Sequence, residues 1–189
     1  VPPGFTISTD VCTYYMESGN YPGELKSQVE IPLKAVEKIM GQKFGDLENP
    51  LLVSIRSGAR QSMPGMMETV LNVGLTIKTI PGLIKKSGDE RFVYDSYRRL
   101  ITMYADVVLE KASGIEPKEG EGIREKLENI MEAEKKKSGA ITDSELTAES
   151  LEQLCQKFKS EIKNSIGEDF PDDPTTQLWG GITAVFISW

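Results

Sequence analysis

From residue 76 to residue 166 the sequence is dominated by helix-forming and charged residues, with apolar positions returning at helical spacing. Such a pattern is buried only when amphipathic helices pack on one another, because a period near 3.6 gathers the apolar positions into one stripe. In DERFVYDSYRRLITMYADVVLEK that stripe is Phe92, Tyr97, Leu100, Ile101, Tyr104 and Val108. EGIREKLENIMEAEKKK and TAESLEQLCQKFKSEIKNSI are further amphipathic helices with solvated Glu/Lys faces. Thr142 with Glu145 has capping-box spacing, and Thr147 ahead of Glu149 is the better start for the last helix. The glycine-rich, charged SGIEPKEGEG reads as an exposed loop.

The flanks differ. Phe5 and Ile7 alternate with polar residues over 4–9, which predicts a short strand. Thr9 or Asp10 caps a helix that Gly19 ends. Between Gly23 and Gly41, Leu25, Val29, Leu33, Val36 and Met40 make one helical face, with Pro32 predicting a kink or a break. LLVSIRS is the best strand candidate, apolar and β-branched behind the turn-like GDLENP. At the far end Asp173 caps a helix with Pro174 in its first turn, and Leu178, Ile182, Val185, Phe186 and Trp189 share a face. Gly180 and Gly181 there allow close packing at about 1 kcal/mol each in helix propensity. The expectation is an α+β chain: a mixed unit over 1–75, a helical insertion over 76–168, and a return helix over 169–189 that packs on the first unit.

The 189-residue chain can bury one core. A formal net charge of -7 argues against generic binding to nucleic acid or to an anionic membrane. Histidine is absent, which removes histidine general-base chemistry and histidine metal ligands from these residues. Cys12 and Cys155 match no zinc or redox spacing and read as buried thiols of a reduced compartment. No apolar stretch approaches a membrane span. VPPGFTIST opens without an initiator methionine and AVFISW stops on an amphipathic face, so both ends read as those of a fragment.

LLVSIRSGARQSMPGMMETVLNVG, residues 51 to 74, holds the chemistry. A strand ending in Arg56-Ser57-Gly58 sets a guanidinium and free backbone N–H groups at a sheet edge, a pattern suited to phosphate oxygens. The turn SMPGMM adds N–H groups that could line a polyphosphate, with Met63, Met66 and Met67 as a polarizable cover. It is neither a Walker A loop nor a dinucleotide fingerprint. Phosphate binding and an ordinary structured turn fit these residues equally well, and Met66 and Met67 can simply pack. Arg60 and Arg98 fit solvated or salt-bridged roles as well as functional ones. Asp95 and Asp106 share a helix and read as surface or capping partners rather than metal ligands. Tyr94, Tyr97 and Tyr104 read as core.

PLLVSIRSGARQSMPGMMETVLNVGL, RFVYDSYRRLITMYADVV and FPDDPTTQLWGGITAVFISW closely resemble, in order, blocks of the nucleotide-binding domain of the pyruvate, phosphate dikinase family. VPPGFTIST resembles the segment just after that family's glycine- and lysine-bearing motif. The resemblance covers nearly the whole chain. It implies an ATP-grasp-like nucleotide-binding subdomain with a helical insertion, incomplete at both ends. It also implies conversion of ATP, phosphate and pyruvate to AMP, pyrophosphate and phosphoenolpyruvate, through a histidine on a separate swivelling domain and a pyruvate-binding barrel. By resemblance Arg56 and Arg99 bind nucleotide phosphates, and the turn carrying Ser62, Met63, Gly65, Met66 and Met67 covers them. No catalytic residue and no metal ligand is expected in this stretch. ATP is the substrate, and the ligands of Mg2+, the phosphohistidine domain and a homodimer contact are expected outside residues 1–189. The resemblance further implies a cytoplasmic enzyme, with this stretch alone inactive. A phosphoenolpyruvate synthase-like fragment is the nearest alternative, though its pattern lacks the methionine-rich turn. A non-catalytic nucleotide-binding module is the alternative from another class.

Overall fold

The computed structural model describes residues 2–58 and 69–188. Helix α1 spans Thr9–Ser18 and ends at Gly19 in the left-handed region, φ 69°. Ahead of it, residues 2–8 form no strand, in contrast to the period-two reading of this stretch. Alternation makes a strand only where a ladder partner takes up the backbone groups, and here Ser8 is instead the extended N-cap of α1. Helix α2, Leu25–Met40, runs unbroken through Pro32. A mid-helix proline costs about 3 kcal/mol, and burial of Leu25, Val29 and Val36 along one face offsets it. Met40, expected on that face, is exposed.

The strand expected at LLVSIRS is divided. Strand β2 (Pro50–Leu51) pairs in parallel with β1 (Lys43–Phe44), whereas β3 (Val53–Ile55) pairs antiparallel with β4 (Val70–Val73). The second pairing has a register irregularity between Val53 and Ile55, and Asn72 opposite sits at φ 62°. Gly74 closes β4 at φ 103°, with the Phe44 ring and the Leu51 carbonyl where a Cβ would stand. This glycine is therefore required twice over, by its backbone angle and by its neighbours.

The helical expectation holds in outline. After α3 (Ile80–Ser87) come α4 (Glu90–Tyr104), continued by a π-helical turn (Ala105–Lys111), then α5 (Ile123–Ser138), a 3-10 turn at Asp143–Glu145, and α6 (Ala148–Ile166). Asp89 caps α4 by accepting the Phe92 N–H at 2.8 Å, and Thr147 caps α6 through the Ser150 N–H. Helix α4 packs chiefly on α6, and α5 packs on α6 as well. Tyr97, Leu100, Ile101, Tyr104, Leu127, Leu151, Leu154 and Phe158 form the centre of that packing. Phe92 departs from the expected stripe and is 59% exposed; Val93 takes the buried place. Tyr94 is only half-buried.

Helix α7, Pro174–Ile187, starts as expected, Asp173 accepting the Thr176 N–H at 2.8 Å. It packs on α1, β3, β4 and the π-helical turn. A Cβ on Gly180 would strike the Tyr104 hydroxyl and one on Gly181 would strike Ile55, so both glycines mark close approach. Tyr15, Tyr21, Trp179 and Phe186 join α1 to α7 through ring contacts at 5.1 to 6.3 Å. Trp189 lies outside the described residues.

Candidate functional site

Strand β3 buries Ile55 against Gly181 and releases Arg56 immediately beyond its end. Arg56 is exposed, and among the described residues no carboxylate pairs with it. Next to it, the Ser57 hydroxyl is buried and has no hydrogen-bond partner among the described residues. Buried hydroxyls are ordinarily satisfied, so this one marks a place where a further polar group belongs. Ser62, Met63, Gly65, Met66 and Met67, together with Arg60, lie outside the described residues.

Arg99 sits on the exposed side of α4, its side chain 62% exposed. Its Nε forms an ion pair with Asp95 Oδ2 at 2.9 Å. The preceding residue behaves differently. Arg98 is buried, donates to Asp95 Oδ1 through Nε at 3.0 Å and Nη2 at 2.7 Å, and lies 3.8 Å from Asp143. One carboxylate thus anchors a structural arginine with one oxygen and steadies an exposed arginine with the other. Arg98 is held in the structural role; Arg99 has no partner beyond Asp95 among the described residues. Among the described residues no hydrogen bond or ion pair joins Arg56 to Arg99.

Both acids of α4 and its continuation differ from the surface role expected of them. Asp95 is largely covered, and Asp106 is buried with Arg124 Nε at 2.8 Å and Lys111 Nζ at 3.1 Å. Carboxylates leave the surface when each oxygen is answered by a cation, and that is the case for both. Asp106 therefore ties the π-helical turn to the start of α5. Nearby, Glu110 accepts the Ile123 N–H at 2.7 Å, and burial pushes its carboxyl above the usual range. Spacing alone gave no signal of these ties.

The two thiols are inert. Burial pushes Cys155 up to about 12 and raises Cys12, so both remain protonated near neutrality. A groove of about 570 Å³ runs between the π-helical turn and α7, lined by Val108, Ala112, Trp179, Gly180 and Ile187; neither candidate arginine lines it. Among the described residues no group of three His, Cys, Asp or Glu side chains could hold a metal ion. No described helix is long and apolar enough to cross a membrane.

Sequence reasoning also missed two polar residues on which the fold turns. Gln177 is wholly buried; its Nε2 donates to the carbonyls of Leu75 at 3.1 Å and Pro171 at 2.8 Å, and its Oε1 accepts the Gly74 N–H at 2.9 Å. Asp172 accepts the Tyr97 hydroxyl at 2.6 Å, the Ile77 N–H at 3.1 Å and Lys159 Nζ at 2.6 Å. Burial first, and the Asp172 hydrogen bond second, raise the Tyr97 phenol far above its ordinary value. Helical spacing gave no signal for Gln177, which precedes Leu178 by one residue and so stands about 100° round the helix from the apolar face.

No protein-family model matches the sequence. Curated relatives do, end to end. Over 191 residues the chain is 47% identical to the pyruvate, phosphate dikinase of Clostridium symbiosum, with all of this chain and 21% of that protein aligned. It is 46% identical over 190 residues to that of Rhizobium meliloti and 44% over 189 residues to that of Giardia intestinalis, covering 20% of each. The match to these enzymes runs the whole length of this chain. The chain is thus similar to one segment of pyruvate, phosphate dikinase and spans about a fifth of the length of the curated relatives it matches.

Proposed function

We propose that this chain forms the phosphate-gripping part of the ATP-binding region of a pyruvate, phosphate dikinase. The full enzyme converts ATP, phosphate and pyruvate to AMP, pyrophosphate and phosphoenolpyruvate by way of a phosphohistidine on another domain. The observation that carries the reading is the end-to-end match to enzymes of that name, with Arg56 exposed just beyond β3 and paired with no carboxylate among the described residues. The matched relatives bear the dikinase name, which does not favour the synthase or the non-catalytic module.

Phosphoryl transfer rests on positioning and on neutralising charge spread over the equatorial oxygens. In this reading Arg56 and Arg99 supply guanidinium groups from a strand end and from α4, within an ATP-grasp-like subdomain and a helical insertion. The Ser62–Met67 turn covers the phosphates. Mg2+, which the family implies, finds no cluster of three candidate ligands among the described residues, and no step here runs through it. The phosphohistidine domain is the physical partner, the dimer contact lies elsewhere in the polypeptide, and the setting is cytoplasmic. Residues 1–189 alone are inactive.

The test is Arg56→Ala in the intact enzyme. ATP-dependent pyrophosphate formation falls at least about tenfold, equivalent to roughly 1.4 kcal/mol of transition-state stabilisation. Unchanged turnover would remove Arg56 from the site.

A further inference from the structure

The chain passes between the strand region and the α3–α6 helices at Gly74–Thr79 and at Gly167–Asp173. These two crossings lie side by side, and two buried or half-buried polar side chains bind them together. Gln177 takes up backbone groups of Gly74 and Leu75 on one crossing and Pro171 on the other. Asp172, on the second crossing, holds the Ile77 N–H of the first. The same carboxylate grips Tyr97 on α4 and Lys159 on α6, and the Lys159 ammonium lies 5.6 Å from the Tyr97 ring centroid. Phe170 packs its edge against Tyr97 and Tyr104 at 6.0 and 5.7 Å between ring centroids.

The consequence concerns direction rather than mere stability. Tyr97 shares α4 with Arg99, and Gly74 closes the strand that pairs with the one Arg56 directly follows. Through Asp172 the orientation of α4 is referred to the crossings; through Gln177 the strand pair is referred to the same crossings. We propose that Asp172 and Gln177 are positioning residues that set the angle between the Arg99 helix and the Arg56 strand, and hence the grip on nucleotide phosphates. This rests on the functional reading above. Neither residue needs to touch the ligand.

Chemistry singles out the variants. Asp172→Asn keeps an acceptor for Tyr97 or Ile77 but turns an amide toward the Lys159 ammonium. Gln177→Glu keeps the acceptor for Gly74 and sets its second oxygen against the Leu75 and Pro171 carbonyls. Both preserve shape. In the intact dikinase, each raises KM for ATP about tenfold, the order expected for sub-ångström misplacement of a binding group. Exchange between pyruvate and phosphoenolpyruvate, assigned to another domain, stays within about twofold, and melting stays cooperative. The deciding measurement is the double variant. Added to Arg99→Ala, Asp172→Asn has little further effect on KM, because the group it positioned is gone.

Multiplying effects in the double variant, or equal losses in the pyruvate exchange, would overturn the positioning role while leaving Arg56 and Arg99 in place. If Arg56→Ala and Arg99→Ala themselves left the ATP-dependent reaction intact, the functional reading would fall and this inference with it.

Discussion

The α4–α6 region and the strand region are held together by different means. Around α4 and α6, apolar side chains interlock, and Leu100, Ile101, Leu151 and Leu154 are cut off from solvent. Among the described residues of the strand region the sheets have two strands each, the longest being Val70–Val73, and α2 leaves Ile31 and Ile39 exposed. What secures that region is a set of long-range polar ties from α7, such as Gln177 to Gly74 across 103 positions. The first region is chiefly apolar packing, whereas in the second the burial of Val70, Val73 and Leu75 is joined by satisfied backbone groups. Each carries one of the candidate phosphate-binding arginines, so the two candidates stand on differently built supports.

The largest expected effect tests the packed region through adjacent residues. Arg98→Ala leaves Asp95 covered with only a peripheral partner, and costs about 3–5 kcal/mol in urea unfolding. Arg99→Ala removes an exposed ion pair and costs less than about 1 kcal/mol. Equal losses would mean that burial does not separate the two. An intermediate effect tests the seam between the regions at Gly82. A Cβ there would overlap the Leu47 carbonyl, and that neighbour is backbone rather than a yielding side chain. Alanine gains about 1 kcal/mol in helix propensity, yet the clash leaves Gly82→Ala net destabilised by about 1–2 kcal/mol. A stabilised variant would show the 45–49 loop to be more compliant than the packing indicates.

Legibility in the sequence follows the same division. The stripe Tyr97, Leu100, Ile101, Tyr104 could be read because helical burial repeats locally, and the caps Thr147 and Asp173 could be read because a cap is a local hydrogen bond. Phe92 was misplaced since it stands in the first turn, where an aromatic residue can face either way at little cost. Strands β1 and β4 gave no such signal, being short and defined by partners distant in sequence. Of the candidate site, the residue types at Arg56 and Arg99 were legible by resemblance. The exposure of Arg56, unpaired with any carboxylate among the described residues, and Arg99's sharing of Asp95 with Arg98 depend on tertiary neighbours, which spacing does not encode.

The smallest effect concerns the start of α7, where the strand region receives its main tie. Asp173 Oδ2 accepts both the backbone N–H and the hydroxyl of Thr176 at 2.8 Å. The backbone bond first, and the hydroxyl second, hold the carboxyl below its ordinary value of 3.8. A carboxyl depressed in the folded state contributes stability above its unfolded value, and loses that contribution as pH falls through the folded one. The cap is therefore at full strength near pH 6 and fades below pH 3.8. Asp173→Asn keeps a good N-cap acceptor but cannot ionise, so its cost is a few tenths to about 1 kcal/mol at pH 6. In paired urea titrations that gap narrows toward zero as the carboxyl protonates, while groups common to both chains cancel. A gap that stayed constant down to pH 3 would show that geometry alone, without charge, carries the cap, and that α7 is tied to the strands independently of Asp173 ionisation.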